Sequence, residues 1–235
     1  MLLEVIATTQ QDAERAEAGG ADRIELVADL RQGGLTPDMT LVKQITAVVK
    51  LPVHVMIRPH SRSFQMSKAD IANMVTSIQQ AEQSGAAALV WGVLTPELEI
   101  DQQAVEVLLA ASALPVTFHR AFDEMKHQIE ALHRLLAYKQ IRSVLTSGGA
   151  ASVLQAVEQM TELESIAIAK SHSLYIVAGG GLTLESMKSF VLATRVRAVH
   201  LGTGVRTNMN VDEPVAEEKV KEARTILDEI VRTYL

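Results

Sequence analysis

The segment Val116-Thr117-Phe118-His119-Arg120-Ala121-Phe122-Asp123 sets an imidazole, a guanidinium and a carboxylate within five residues, 119–123. An imidazole serves as general acid or base near neutral pH, a guanidinium clamps anions through a planar fork of donors, and a carboxylate accepts or relays protons. Val116, Thr117 and Phe118 favour a pleated strand, and Pro115 suits a strand's first position. The segment therefore reads as a strand that releases its charged groups where it leaves a sheet, the end at which α/β folds bind ligands. Alone, such a cluster is equally well a structural ion pair. What makes it a candidate site is the number of other strands that end in the same way.

Apolar runs of strand length occupy residues 2–6, 23–26, 53–57, 88–93, 116–119, 141–145, 174–178 and 197–201. Between them the apolar spacing becomes helical, as at Ile71, Met74, Val75 and Ile78, or at Leu41, Ile45, Val48 and Val49. Thr36 and Pro37 predict an N-cap and first turn, Ser67 predicts a second cap, and Gly19, Gly20 and Gly85 sit where helices should stop. Eight strands alternating with helices predict one closed (β/α)8 barrel of the TIM type over residues 1–235, with strands one and eight side by side. An open nucleotide-binding sheet is the competing fold, but no Gly-x-Gly-x-x-Gly follows the first strand.

Strand alternation then aims the chemistry. Residues facing the outer helices should be apolar, so Leu3, Val5, Ile24, Leu26, Val53, Val55, Ile57, Val116, Phe118, Val199 and Leu201 face outward. Glu4, Glu25, His54, Met56, Arg58, Thr117, His119 and His200 are left pointing at the barrel axis. Unpaired charge there is costly, so these groups must pair or bind something. The expectation is one cluster of Glu4, Glu25, Arg58 and His119 at the carboxyl end, with Glu25 paired to Arg58. Glu4, Glu25, Arg58, His119, Arg120 and Asp123 are the candidate catalytic residues. A purely structural network is the alternative.

Strand six ends in Thr146-Ser147-Gly148-Gly149, strand seven in Gly179-Gly180-Gly181 and strand eight in Gly202-Thr203-Gly204. Such loops bring backbone N–H groups close to an anion, and barrels often hold a phosphate after strands seven and eight. Thr146, Ser147, Gly148, Gly179, Gly180, Gly181, Gly202 and Thr203 are thus candidate ligand-binding residues; tight turns would need the same glycines. His127, His133 and His172 fall in helical or loop segments and read as surface residues, while His60 stays ambiguous. Trp91 points outward.

Composition limits the partners. Of 235 residues, 48% are hydrophobic and 21% charged, as in an ordinary globular protein. A net charge of −6 with no basic block excludes a nucleic-acid footprint, and no apolar run reaches the roughly eighteen residues of a membrane span. There is no cysteine, which removes disulfides, thiolate ligands and cysteine nucleophiles together and suits a cytoplasmic location. The expected partners are a small anionic molecule or a metal ion, and the oligomeric state stays open.

Glu4, Gly20-Ala-Asp-Arg-Ile-Glu-Leu, Gly33-Gly34-Leu35-Thr36-Pro37, Val53-His54-Val55-Met56-Ile57-Arg58-Pro59, Thr117-Phe118-His119-Arg120-Ala121-Phe122-Asp123 and Val144-Leu145-Thr146-Ser147-Gly148 together resemble the CutC family of copper homeostasis proteins over about residues 1–205. The resemblance implies a TIM-type barrel, a cytoplasmic location and a part in copper handling. With copper implied by the resemblance, the candidate metal ligands among the inward residues are Glu4, Glu25, His54, His119 and His200. Where members bear cysteines near the first two strands, this chain has Ile6-Ala7-Thr8 and Leu26-Val27-Ala28, so a thiolate Cu(I) site cannot form, and His with Glu suits a harder ion. Two functions follow: a metal-handling protein, or a barrel enzyme on a small, phosphorylated carbonyl or sugar substrate. Whether the site catalyses is left open.

Overall fold

The computed structural model describes residues 1–170 and 174–234, so His172 lies outside the described residues. Eight parallel strands close into a barrel in chain order: β1 (Leu2–Ala7), β2 (Arg23–Leu26), β3 (Val53–Met56), β4 (Ala88–Trp91), β5 (Val116–Phe118), β6 (Ile141–Thr146), β7 (Tyr175–Ala178) and β8 (Ala198–Leu201). Closure is made by β1 against β8, with Leu3 opposite Val199 and Glu4 opposite His200. The covering helices are α1 (Gln10–Ala18), α2 (Met39–Val48), α3 (Lys68–Gln83), α4 (Gln102–Ala110), α5 (Gln128–Leu135), α6 (Val157–Lys170), α7 (Leu184–Thr194) and α8 (Glu217–Tyr234).

Strand alternation places side chains as expected. Leu3, Val5, Ile24, Leu26, Val55, Phe118 and Val199 belong to the large core between sheet and helices, together with Met74 and Ile78 of α3. Trp91 lies there too, edge-on to Phe118 at 6.4 Å. Inside the barrel the apolar residues form only two small groups, one around Ile6, Val27, Met56 and Val90 and one around Leu145, Val177 and Ala198. Most of the remaining inward positions carry polar or ionisable groups.

Local chemistry sets the helix ends. Ser67 and Asp70 form a reciprocal capping box at α3, as expected from Ser67. Gly20 and Gly85 adopt φ of +88° and +89° after α1 and α3, a region that side chains with a Cβ avoid. Two expectations fail at α2. Its N-cap is Asp38, whose carboxylate accepts from the Thr40 N–H, because the Thr36 hydroxyl is taken by the Arg58 N–H at 2.8 Å. Of the expected stripe Ile45 and Val49 are buried and Leu41 packs against the core, but Val48 is 49% exposed and Val42 is buried instead.

A buried ion pair ties the loop after β8 to the first helix. Arg206, after β8, reaches Asp12 of α1 at 3.0 Å, and Asp12 also accepts the Val215 N–H at 2.9 Å. Arg206 Nη1 also donates to the Glu213 carbonyl at 2.7 Å, so the loop after β8 is fastened at both of its sides. None of the helices among the described residues is long and apolar enough to cross a membrane.

Candidate functional site

Four strands build an ionic chain across the interior. Arg23 of β2 donates through Nε to Glu4 of β1 at 2.5 Å, and its Nη1 donates to the Tyr175 hydroxyl. The other oxygen of Glu4 meets His200 Nδ1 at 2.6 Å, and His200 Nε2 stands 3.7 Å from Glu25. A carboxylate on one ring nitrogen fixes the orientation of the imidazole and leaves the other nitrogen to face the reacting side. His54 Nδ1 approaches Glu4 more loosely, at 3.8 Å.

This arrangement drives its groups apart electrically. Burial pushes Glu4 up, but Arg23 and the hydrogen bond from His200 outweigh it and hold the carboxyl well below its usual range. Glu25 is raised by burial and by Glu4 to about 7, with His200 pulling the other way. Burial alone would lower His200, yet Glu25 and Glu4 raise it. His54 falls to about 4 through burial and Arg23, and His119 to about 3 through burial and Arg58, so both are neutral imidazoles at physiological pH. Two carboxyls of one cluster, one firmly ionised and one titrating near neutrality, form the usual pattern of an acid–base site.

The expected single cluster is divided. Glu4, Glu25 and His200 do meet, but Arg58 and His119 stand in a separate tier at the mouth, and Arg58 is not paired with Glu25. Arg58 Nη1 donates to the carbonyls of Gln32 and Gly34 at 3.1 and 3.3 Å, and its guanidinium lies over the Phe64 ring at 4.6 Å. Held by carbonyls and a ring face, it keeps a positive charge that no carboxylate bonds among the described residues. His119 Nδ1 accepts the Ala121 N–H at 3.2 Å, which places the ring proton on Nε2, where it has no partner among the described residues.

Arg120 and Asp123, two of the expected catalytic residues, bond to each other and to the loop after β6. Asp123 accepts from Arg120 Nε at 2.7 Å, the Ser147 N–H at 3.0 Å, the Ser147 hydroxyl at 2.9 Å, the Gly149 N–H at 3.3 Å and the Thr146 hydroxyl. The anion seat of the loop after β6 is thus already filled by the protein's own carboxylate. The Gly148 N–H goes to the Thr146 hydroxyl at 2.8 Å, and the Gly179 N–H to the Thr146 carbonyl at 3.0 Å. The N–H groups of Ser147, Gly148 and Gly179 thus already have acceptors within the protein. The N–H groups of Gly180, Gly181 and Thr203 have no acceptor among the described residues.

These elements enclose a cavity of about 260 Å³ at the carboxyl end. Glu25 and His200 line it together with Arg58, His119, Arg120, Gly180, Gly181, Gly202 and Thr203, and Ile6, Val27, Met56 and Phe64 supply apolar wall. The cavity thus joins Glu25 and His200, a guanidinium that bonds no carboxylate among the described residues, and N–H groups without acceptors.

The family model of the CutC family matches residues 1–205. The chain belongs to the CutC family. A CutC family protein of Salmonella paratyphi B is 37% identical over 205 residues, which span 87% of this chain and 80% of the relative. The crystal structure of CutC from Streptococcus agalactiae, a protein named for copper homeostasis, is similar with a TM-score of 0.80 and 29% identity, over 86% of this chain and 98% of that one. N-(5'-phosphoribosyl)anthranilate isomerase from Pyrococcus furiosus shares the fold at a TM-score of 0.63 and 14% identity, over 97% and 99% of the two chains.

The CutC name raises the question of copper. One ligand atom from each of Glu4, Glu25 and His200 lies within 4.8 Å of the others, whereas His119 stands apart in the mouth tier. This donor set of oxygen and nitrogen, with Arg23 already bonded to Glu4, does not fit Cu(I), which prefers sulfur. Reasoning from the sequence missed Arg23, although the alternation that turns Glu25 inward turns Arg23 inward as well. Of the surface histidines expected, His127 and His133 are exposed. His60 lies 3.4 Å from Asp70 at the start of α3.

Proposed function

We propose that this CutC-family chain serves copper homeostasis, after which its Streptococcus relative is named, by binding a small anionic, phosphate-bearing molecule at the carboxyl mouth of its barrel and not by holding Cu(I). The observation that carries this reading is Arg58: a buried guanidinium bonded only to carbonyls, in a cavity whose opposite wall offers the N–H groups of Gly180, Gly181 and Thr203. Buried cations without a carboxylate partner stabilise bound anions at little reorganisation cost. The absence of cysteine fits a cytoplasmic setting for this role.

A second reading is favoured by the interior chain. Glu4 orienting His200, with Glu25 titrating near neutrality at the cavity floor, supports proton transfer on a phosphorylated carbonyl or sugar, His119 Nε2 donating to the substrate oxygen. A divalent ion harder than Cu(I) would be held by Glu4, Glu25 and His200. Competition with a Cu(I) chelator tests the copper half of the proposal: affinity no tighter than about micromolar is expected, and nanomolar binding would reject it.

A further inference from the structure

The barrel has a second opening, at the amino ends of its strands. A cavity of about 380 Å³ lies there, lined by Arg23, His54, Thr117, Arg142, Ser143 and Tyr175 among others. Arg23 and Tyr175 are the first residues of β2 and β7, which puts the cavity on the face opposite the mouth described above. Barrel active sites occupy the carboxyl face, so this opening is not explained by the fold's usual chemistry.

Its lining is one-sided in charge. Two guanidinium groups border it and no carboxylate does. Arg23 spends Nε on Glu4 and Nη1 on Tyr175, but Nη2 is buried without an acceptor. His54 Nδ1 is likewise buried without a hydrogen bond, and its ring is neutral, pushed down to about 4 by burial and by Arg23. The hydroxyls of Thr117 and Ser143 lie 2.7 Å apart and supply donors and acceptors beside these groups.

Arg142 is delivered by a distortion of the sheet. The register of β5 on β6 runs Val116 to Ile141 and then Thr117 to Ser143, so Arg142 is the extra residue of a bulge. A bulge re-aims one side chain without disturbing the alternation of the rest, and bulges gather at barrel rims. Ile141 keeps its place in the outer core and Ser143 keeps its place inside, while Arg142 is exposed at the rim with no acceptor among the described residues.

We propose that the amino-terminal opening is a second ligand site, which takes a small molecule bearing an oxyanion, phosphate or carboxylate, between Arg142 and Arg23. Planar guanidinium groups match both oxyanions through paired hydrogen bonds. The space is within the range of pockets that hold small organic molecules, roughly 300–1000 Å³. Because Arg23 also holds Glu4, and Glu4 holds His200, an occupant here is joined by two hydrogen bonds to the acid–base pair of the other mouth. The proposal does not depend on the function assigned to that mouth.

Nuclear magnetic resonance of the full chain tests it, with inorganic phosphate and succinate as separate probes and the backbone amides of Ala88, Ser143 and Tyr175 as reporters. Saturable shifts of these amides are expected in the wild type and equally in Arg58→Met, which disables only the carboxyl mouth. Arg142→Glu should weaken the response at least about tenfold with an unchanged melting temperature; if the charge reversal unfolds the protein, Arg142→Gln takes its place. A response to phosphate alone assigns a phosphate ester, and a response to succinate alone assigns a carboxylate; either supports the site. Silence of these amides at about 20 mM of both probes, or a response undiminished by loss of the Arg142 charge, overturns it.

Discussion

Glu4 is the residue on which the interior depends. Its two oxygens hold Arg23 and His200, so Glu4→Ala strands a buried guanidinium and should cost about 3–5 kcal/mol in urea denaturation. A loss under about 1 kcal/mol would show that Arg23 finds water or another acceptor. Glu25 makes a different, pH-dependent contribution. Its carboxyl titrates near 7 when folded and near about 4.3 when unfolded, so the native state binds the extra proton between those values. The contribution is fully present below about pH 4.3 and is lost as pH rises through about 7. Glu25→Gln cannot titrate, and its stability should therefore fall less than that of the wild type between about pH 5 and 8. Identical slopes would mean that Glu25 is not raised. Alternation made the inward set legible in the sequence, but not its pairing. Arg58 and Glu25 share the barrel interior, yet Arg58 belongs to the loop after β2 through the carbonyls of Gln32 and Gly34, a partnership that side-chain patterns cannot signal.

Among the elements, the short turn Arg120–Glu124 after β5 illustrates how a catalytic-looking motif serves as a fastener. Asp123 collects donors from the loop after β6, so that loop and the turn are one unit. Asp123→Ala should lower stability by about 2–4 kcal/mol and free Arg120, since several donors lose their acceptor together. A stable variant with only altered ligand binding would return Asp123 to the site. The glycines tell the same story in two ways. Gly148 packs where a Cβ would lie 2.6 Å from Ala156, so it serves the turn. Gly180, at φ +99°, abuts Arg120 and Ser147 and leaves its N–H free, so it serves the cavity, and a bulky replacement there would be strained as well as obstructive. In sequence the two are indistinguishable, because both are glycines after an inner strand. The strands themselves were legible almost residue by residue; the cap of α2 was not, because Thr36 is drawn away by a backbone N–H two elements distant.

At the scale of the whole molecule, the CutC barrel is a tube of helices and apolar strands around a polar axis, with an opening at each end. The outer packing follows from hydrophobic periodicity and would form around many interiors. The axis carries the polar chemistry: Arg23, Glu4, His200 and Glu25 span it, and Arg58, bonded to no carboxylate among the described residues, faces the carboxyl mouth. The most direct measurement of what that mouth does is calorimetric titration of the purified chain with small phosphorylated sugars and with the same sugars lacking phosphate. The account expects saturable binding of phosphorylated forms only, in the range of about 1 μM to 1 mM, and at least tenfold weaker binding by Arg58→Met, whose side chain keeps the packing on Phe64 without the charge. No binding of any phosphorylated sugar, or equal binding by Arg58→Met, would contradict it.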